Sequence, residues 1–433
     1  MTTTADSTIV VAEGTFEEHV RELVNYLARG LAEDARPAYF RPFQESFEGT
    51  DAEGSAGDER KRKSLILVLG AIKSLGEGTD REIDGFFNLL YYRVLSLFTE
   101  PEALKVQLTP LIHTITDSPD HTAVKYRVLS NLFNALPRTS PLRLQVYNAL
   151  LTVASSQDDV DVLSIRASEV EQWLKEWQIP QEEKSGLLKR ISEAFAKSNQ
   201  LSKSYEYLQM CTKSLPSSSS EATPATLDTI ALALRLPSVF DFDSVLRLDS
   251  IKTVKDHPLL SLVRTLLGGS FTDFEKWMSS NDSVLGQFKL DKIALERKMR
   301  LLTLAGLGTQ SVGSMIPYSN IASALHIDVK DVETWVIDGM RANLIGGKLS
   351  QPSQTLHVTR ATYQAFKPTD WKYLQERLVS WKSELLGVLD VVAAARQAKP
   401  PAPGNSHHKS KQQVNAGGGG GSGVEADQVA AAA

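Results

Sequence analysis

The stretch that decides the fold runs from Ser319 to Arg360: SNIASALHIDVKDVETWVIDGMRANLIGGKLSQPSQTLHVTR. In SNIASALHI, Ile321, Leu325 and Ile327 point inward, so the segment reads as a short helix. Asp328 is placed to cap a second helix, with Val332, Trp335, Val336 and Met340 on its buried side. Ile345, Lys348-Leu349 and Leu356 to Thr359 then read as two short strands around a turn at Gln351-Pro352-Ser353. Helix, turn, helix, β-hairpin is the order of a winged helix, expected over residues 290–367.

Upstream, Ile293 to Leu307 predicts an amphipathic helix ending at Gly306 and Gly308. From Ser64 to residue 289, apolar-periodic segments of helical length alternate with breakers at Gly76-Glu77-Gly78, Ser118-Pro119, Pro137 to Pro141 and Pro180. Val124, Val128, Leu129, Leu132 and Phe133 form one stripe, and Leu144, Val146, Leu150 and Leu151 form the next. No fixed period emerges. The expected fold class is therefore all-α, an irregular HEAT/TPR-like solenoid of helix pairs, followed by the winged helix and a long C-terminal helix. Near the N-terminus, Phe16, Val20, Leu23, Val24, Leu27 and Leu31 predict a helix capped by Thr15. That helix and an acidic loop, Glu48 to Glu59, make up residues 1–63. Pro216 to Pro224 reads as an exposed loop inside the stack.

Downstream, residues 368–397 predict a helix with proline at its first turn. Trp371, Leu374, Leu378, Trp381, Leu385, Leu389 and Val392 run along one stripe, which is expected to bundle with helices of other chains. Residues 398–433, with Pro-, Gly- and Ala-rich runs, read as a disordered tail.

Composition narrows the function classes. The chain has 433 residues, 42% of them hydrophobic and 23% charged, which are ordinary globular values. A formal charge of −5 argues against a protein whose main task is coating nucleic acid. Cys211 is the only cysteine, so intrachain disulfides and thiolate-rich metal sites are excluded. No segment reads as a signal peptide or is long enough to span a bilayer, which predicts a soluble, cytoplasmic protein.

Helical repeats running into a winged helix and a C-terminal helix resemble the PCI-domain family. Its members are scaffold subunits of the proteasome lid, the COP9 signalosome and translation initiation factor 3. The strings KMRLLTL (Lys298 to Leu304), DVETWVIDGMRANLIGGKLSQ and WKYLQERLVSWKSELL are similar to the subunit M family within initiation factor 3. So are EVEQWLKEWQI and KSGLLKRISEAF, between Glu169 and Phe195. The similarity covers Glu169 to Leu386, and the PCI domain it implies begins near residue 200.

The resemblance implies binding rather than catalysis, with no cofactor or metal. The chain lacks H-E-x-x-H, a P-loop and a nucleophile elbow, and Gly347-Lys348 is followed by Leu349 rather than Ser or Thr. The implied partners are other initiation factor 3 subunits, both PCI-type neighbours and the MPN-type subunits F and H, and through them the small ribosomal subunit. Candidate interface residues are Ile345, Leu349, Leu356 and Val358 on the hairpin edge, and Trp371, Leu378, Trp381 and Leu385 on the C-terminal helix. A weak RNA contact would fall to Lys330, Arg341, Lys348 and Arg360, against the repulsion of Asp331, Glu333 and Asp338. A proteasome-lid or signalosome scaffold and a winged-helix nucleic-acid adaptor are the alternatives. His113, His121, His257, His326 and His357 read as scattered structural residues, His407-His408 as part of the tail, and Cys211 as a buried hydrophobe. Arg60 to Lys63 reads as a solvated helix start.

Overall fold

Apolar residues at three- and four-residue spacing, punctuated by proline and glycine, fold as that pattern dictates. The computed structural model describes residues 6, 9, 13–47, 55–119, 121–216, 219–362 and 368–397. The tail from residue 398, with His407-His408, lies outside them. The chain divides into two units, Met1–Ala365 and Phe366–Ala433.

The first unit opens with α1 (Phe16–Leu27), α2 (Arg36–Phe47), α3 (Ser55–Ala71), α4 (Asp80–Leu97), α5 (Pro101–Asp117), α6 (Thr122–Ala135) and α7 (Leu142–Ser156). It continues with α8 (Ala167–Glu176), α9 (Gln181–Lys197), α10 (Leu201–Ser214), α11 (Ala222–Arg235) and α12 (Asp243–Leu246). Then come α13 (Pro258–Gly268), α14 (Phe271–Ser280), α15 (Asp282–Gln287) and α16 (Lys292–Gln310). The winged-helix module adds β1 (Met315–Pro317), α17 (Tyr318–Leu325), α18 (Val332–Arg341), β2 (Ile345–Ser350) and β3 (Thr355–Ala361). The second unit contains α19 (Pro368–Gln397).

Local chemistry fixes the helix starts. Thr15 caps α1 in a reciprocal box, its hydroxyl accepting from the Glu18 N–H while the Glu18 carboxylate accepts from the Thr15 N–H. Ser270 and Asp273 repeat the device at α14. Every predicted breaker falls between helices, and the apolar stripes face inward: Val124, Val128, Leu129 and Leu132 are fully buried. α4 packs on α6, α5 on α7, α7 on α9 and α9 on α10, giving the two-layered stack of helix pairs.

Three apolar cores succeed one another. The first runs from α1 to α10 and holds the stacked indoles of Trp173 and Trp177, 5.9 Å apart, beside Phe133 and Tyr147. The second joins α10 through α16. The third belongs to the winged helix. α16 contributes Leu295, Met299 and Leu302 to the second and Leu304 to the third.

Several boundaries depart from the sequence reading. α3 begins at Ser55, inside the stretch read as an acidic loop, which leaves 48–54 outside the described residues and puts Arg60 to Lys63 within the helix. α11 begins at Ala222, so Pro224 lies in its first turn, where a missing N–H costs no helical hydrogen bond. α16 does not stop at Gly306 or Gly308 but runs through both. A Cβ on Gly308 would stand 2.7 Å from Ile345 Cδ1, so this glycine is a close-packing site rather than a terminator. Asp328 precedes a 3-10 turn, Val329–Asp331, and makes no side-chain cap. The sheet has a third strand, β1, in the order β1-β3-β2.

Candidate interaction surface

Strand order decides what the winged helix can offer. β3 lies between β1 and β2, with Ile316 opposite Leu356 on one side and Leu349 opposite it on the other. Leu356 to Thr359 is therefore not an edge, which corrects the expectation from sequence. The third strand lies in Met315-Ile316-Pro317, too short to show alternation. Ile345, Leu356 and Val358 are buried with Ile316, Ile321, Leu325, Val332 and Val336, and Leu349 packs against the same core. Their side chains hold the module together. What β2 presents outward is backbone: no described strand pairs with its second side. A bulge at Gly346/Gly347 bends this edge, and the missing Cβ of Gly347 lets it close on the His357 carbonyl.

The four cations do not converge. Lys330 precedes α18 and Arg341 ends it, about 15 Å apart along the helix. Lys348 lies on β2 and Arg360 on β3, where Arg360 Nη2 donates to Asn343 Oδ1 at 3.4 Å. Arg341 stands 3.8 Å from Asp338, which also pairs with Arg297 at 2.8 Å. Glu333 accepts from the Tyr318 hydroxyl at 3.3 Å and from Gln351 Nε2 at 2.7 Å, pinning the wing to α18. Burial, reinforced by this carboxylate, pushes the Tyr318 phenol up. A phosphate backbone approaching α18 would meet these acids.

α19 carries the largest exposed apolar surface among the described residues. Trp371, Leu378, Trp381 and Leu385 are 64%, 52%, 60% and 47% exposed. Such a stripe on a long helix marks a docking element.

Two buried cations escaped the sequence reading. Lys298, 3% exposed, sends its ammonium into the C-terminal end of α11. It donates to the carbonyls of Ala233 at 2.8 Å, Leu234 at 3.2 Å and Leu236 at 2.6 Å, groups that the end of a helix leaves without partners. The rings of Phe240 and Phe242 flank it, and burial pushes its pKa down to about 7. Arg143, 1% exposed, donates through Nε and Nη2 to the Leu136 carbonyl, while its Nη1 meets Asp6 at 2.8 Å. Arg138 holds the other Asp6 oxygen at 2.6 Å. Burial works against the Asp6 carboxylate, but the two guanidiniums outweigh it and hold its pKa below the usual range. The only trace of Lys298 in the sequence was a lysine inside the apolar run KMRLLTL.

The remaining candidates fall as read. His257 caps α13 through the Leu259 N–H, His121 and His326 flank helix ends in left-handed conformation, and His113 and His357 are scattered on α5 and β3. Cys211 is buried against the Ser185 carbonyl, which with burial pushes its thiol up to about 11. Among the described residues no cluster of three or more His, Cys, Asp or Glu is disposed to hold a metal, and no helix is long and apolar enough to cross a membrane.

Stacked helix pairs ending in a winged helix define a PCI-domain protein, and the PCI domain profile matches residues 280–360. Similarity extends much further along the chain. Eukaryotic translation initiation factor 3 subunit M of Neosartorya fischeri is 30% identical over 409 residues, covering 91% of this chain and 87% of that protein. The Aspergillus fumigatus protein of that name gives the same values, and the Phaeosphaeria nodorum one is 29% identical over 90% of this chain and 89% of its own. The chain belongs to the eukaryotic translation initiation factor 3 subunit M family.

Proposed function

We propose that this chain is a non-catalytic scaffold subunit of cytoplasmic translation initiation factor 3. It assembles with sister subunits through the open edge of β2 and through α19, and so supports small-ribosomal-subunit binding and mRNA recruitment. The observation that carries the reading is the apolar stripe of α19, exposed at Trp381 and Leu385 in a chain whose other apolar stripes are buried. The names of its relatives favour translation initiation over the proteasome lid or the signalosome. A PCI-type neighbour adding a strand beside Ile345–Ser350 would satisfy unpaired backbone groups. Helices of the MPN-type subunits F and H are the partners proposed for α19.

The test is affinity purification of tagged full-length protein from cytoplasm, parent against a Trp381→Asp, Leu385→Asp double variant. The parent is expected to recover initiation factor 3 subunits, and the variant to lose about tenfold or more of them. Full assembly of a folded double variant would remove α19 from the docking surface. Recovery of lid or signalosome subunits by the parent would keep the mechanism and overturn the complex.

A further inference from the structure

α19 is two kinds of helix joined end to end. From Trp371 to Glu384 the exposed residues Trp371, Leu374, Leu378 and Trp381 keep to one stripe. Lys372, Glu376, Arg377, Ser380 and Glu384 occupy most of the remaining circumference, with Val379 the apolar exception. From Leu385 to Ala395 the stripe dissolves. At about 100° per residue, Leu385, Leu386, Val388, Leu389, Val391 and Val392 point to nearly every side, and Asp390 is the one charged residue of that stretch. All six are 45% to 69% exposed.

A helix that is apolar all round is stable when it is surrounded. A neighbouring helix covers a stripe about 100° wide, so one partner leaves most of this segment in water. A second copy wound as a two-stranded coil would cover the seam of Leu378, Leu385 and Val392 but not Val388 or Val391. A bilayer fits no better, because a span needs about 20 apolar residues and this segment is far shorter. Asp390 lies between Gly387 and Ala394 on one side of the helix, and those small residues have little area to bury.

We propose that Leu385 to Ala395 is threaded through the middle of a bundle of three or more helices from neighbouring subunits, with only the line Gly387–Asp390–Ala394 left to water. The first half of α19 lies on the surface of that bundle and docks by its stripe alone. This inference rests on the reading of α19 as a docking element.

Ser380 and Val391 supply a matched pair, since they lie about three turns apart on the same side of the helix. Tagged full-length variants are compared by the quantity of subunits that co-purify. Val391→Glu is expected to lower recovery about tenfold or more, while Ser380→Glu and Asp390→Lys stay within about twofold of the parent. Melting of the isolated V391E chain is expected to match the parent, because Val391 is exposed there. Full recovery with V391E overturns the inference, since the back of the helix would then be open to water. Loss with S380E or D390K overturns it as well, by enclosing a side that it leaves free. The underlying reading fails separately: if the Trp381, Leu385 double variant assembles fully, α19 does not dock at all.

Discussion

In the helical body, polar groups go inside and are answered there; in α19, apolar groups stay outside and are not. Lys298 and Arg143 are almost completely buried, and each finds carbonyl or carboxylate oxygens within the first unit. Along α19 the indoles and branched side chains meet no comparable cover. The first pattern belongs to a part that folds on its own terms. The second belongs to a part whose favourable burial waits for another chain.

The sharpest way to break this contrast is to strike a hairpin residue that could be mistaken for interface. Leu356 is fully buried, so Leu356→Ala is expected to cost the isolated chain about 2–5 kcal/mol, measured by denaturant unfolding. A near-neutral result would put Leu356 among the docking residues instead. Next comes Asp6→Ala, which strips a buried guanidinium of its carboxylate and should cost about 1–3 kcal/mol. An unchanged midpoint would mean that the N-terminal segment contributes nothing to the fold.

A smaller effect is expected from pH. Lys298 titrates near 7 when folded, against an ordinary value of 10.5. Between those values the unfolded chain holds a proton that the folded chain lacks. Folding stability therefore rises with pH across that window, by at most about 1.4 kcal/mol per unit, and is flat in this respect below 7. Unfolding midpoints from pH 7 to 9 should show the rise in the parent and not in Lys298→Met. Smallest of all, the Trp381, Leu385 double variant that disrupts assembly should move the isolated chain's stability by less than about 0.5 kcal/mol.

The helical part of this architecture was legible because its signals are periodic. The change of spacing from α18 to the hairpin, with Gln351-Pro352-Ser353 between, located the winged helix. β1 was not legible, because three residues cannot display alternation, and without it β3 passed for an edge. Gly308 read as a stop because a sequence does not show Ile345 pressed against it. Lys298 stayed hidden for a different reason: its partners are backbone carbonyls, which every residue carries and no side-chain pattern reveals. The stripe of α19 was plain, but following it through Leu389 and Val392 obscured that Val388 and Val391 lie off it.

The path of α16 has a mechanical consequence. One uninterrupted helix roots its first half among the repeats and its second half under the winged helix, with Lys298 bolted to the last turn of α11. Torque applied by a partner at β2 cannot be absorbed by a hinge at that junction, because no loop lies there to bend. It passes along the shaft of α16 into α11, so a strand added at the wing is felt as load in the repeats.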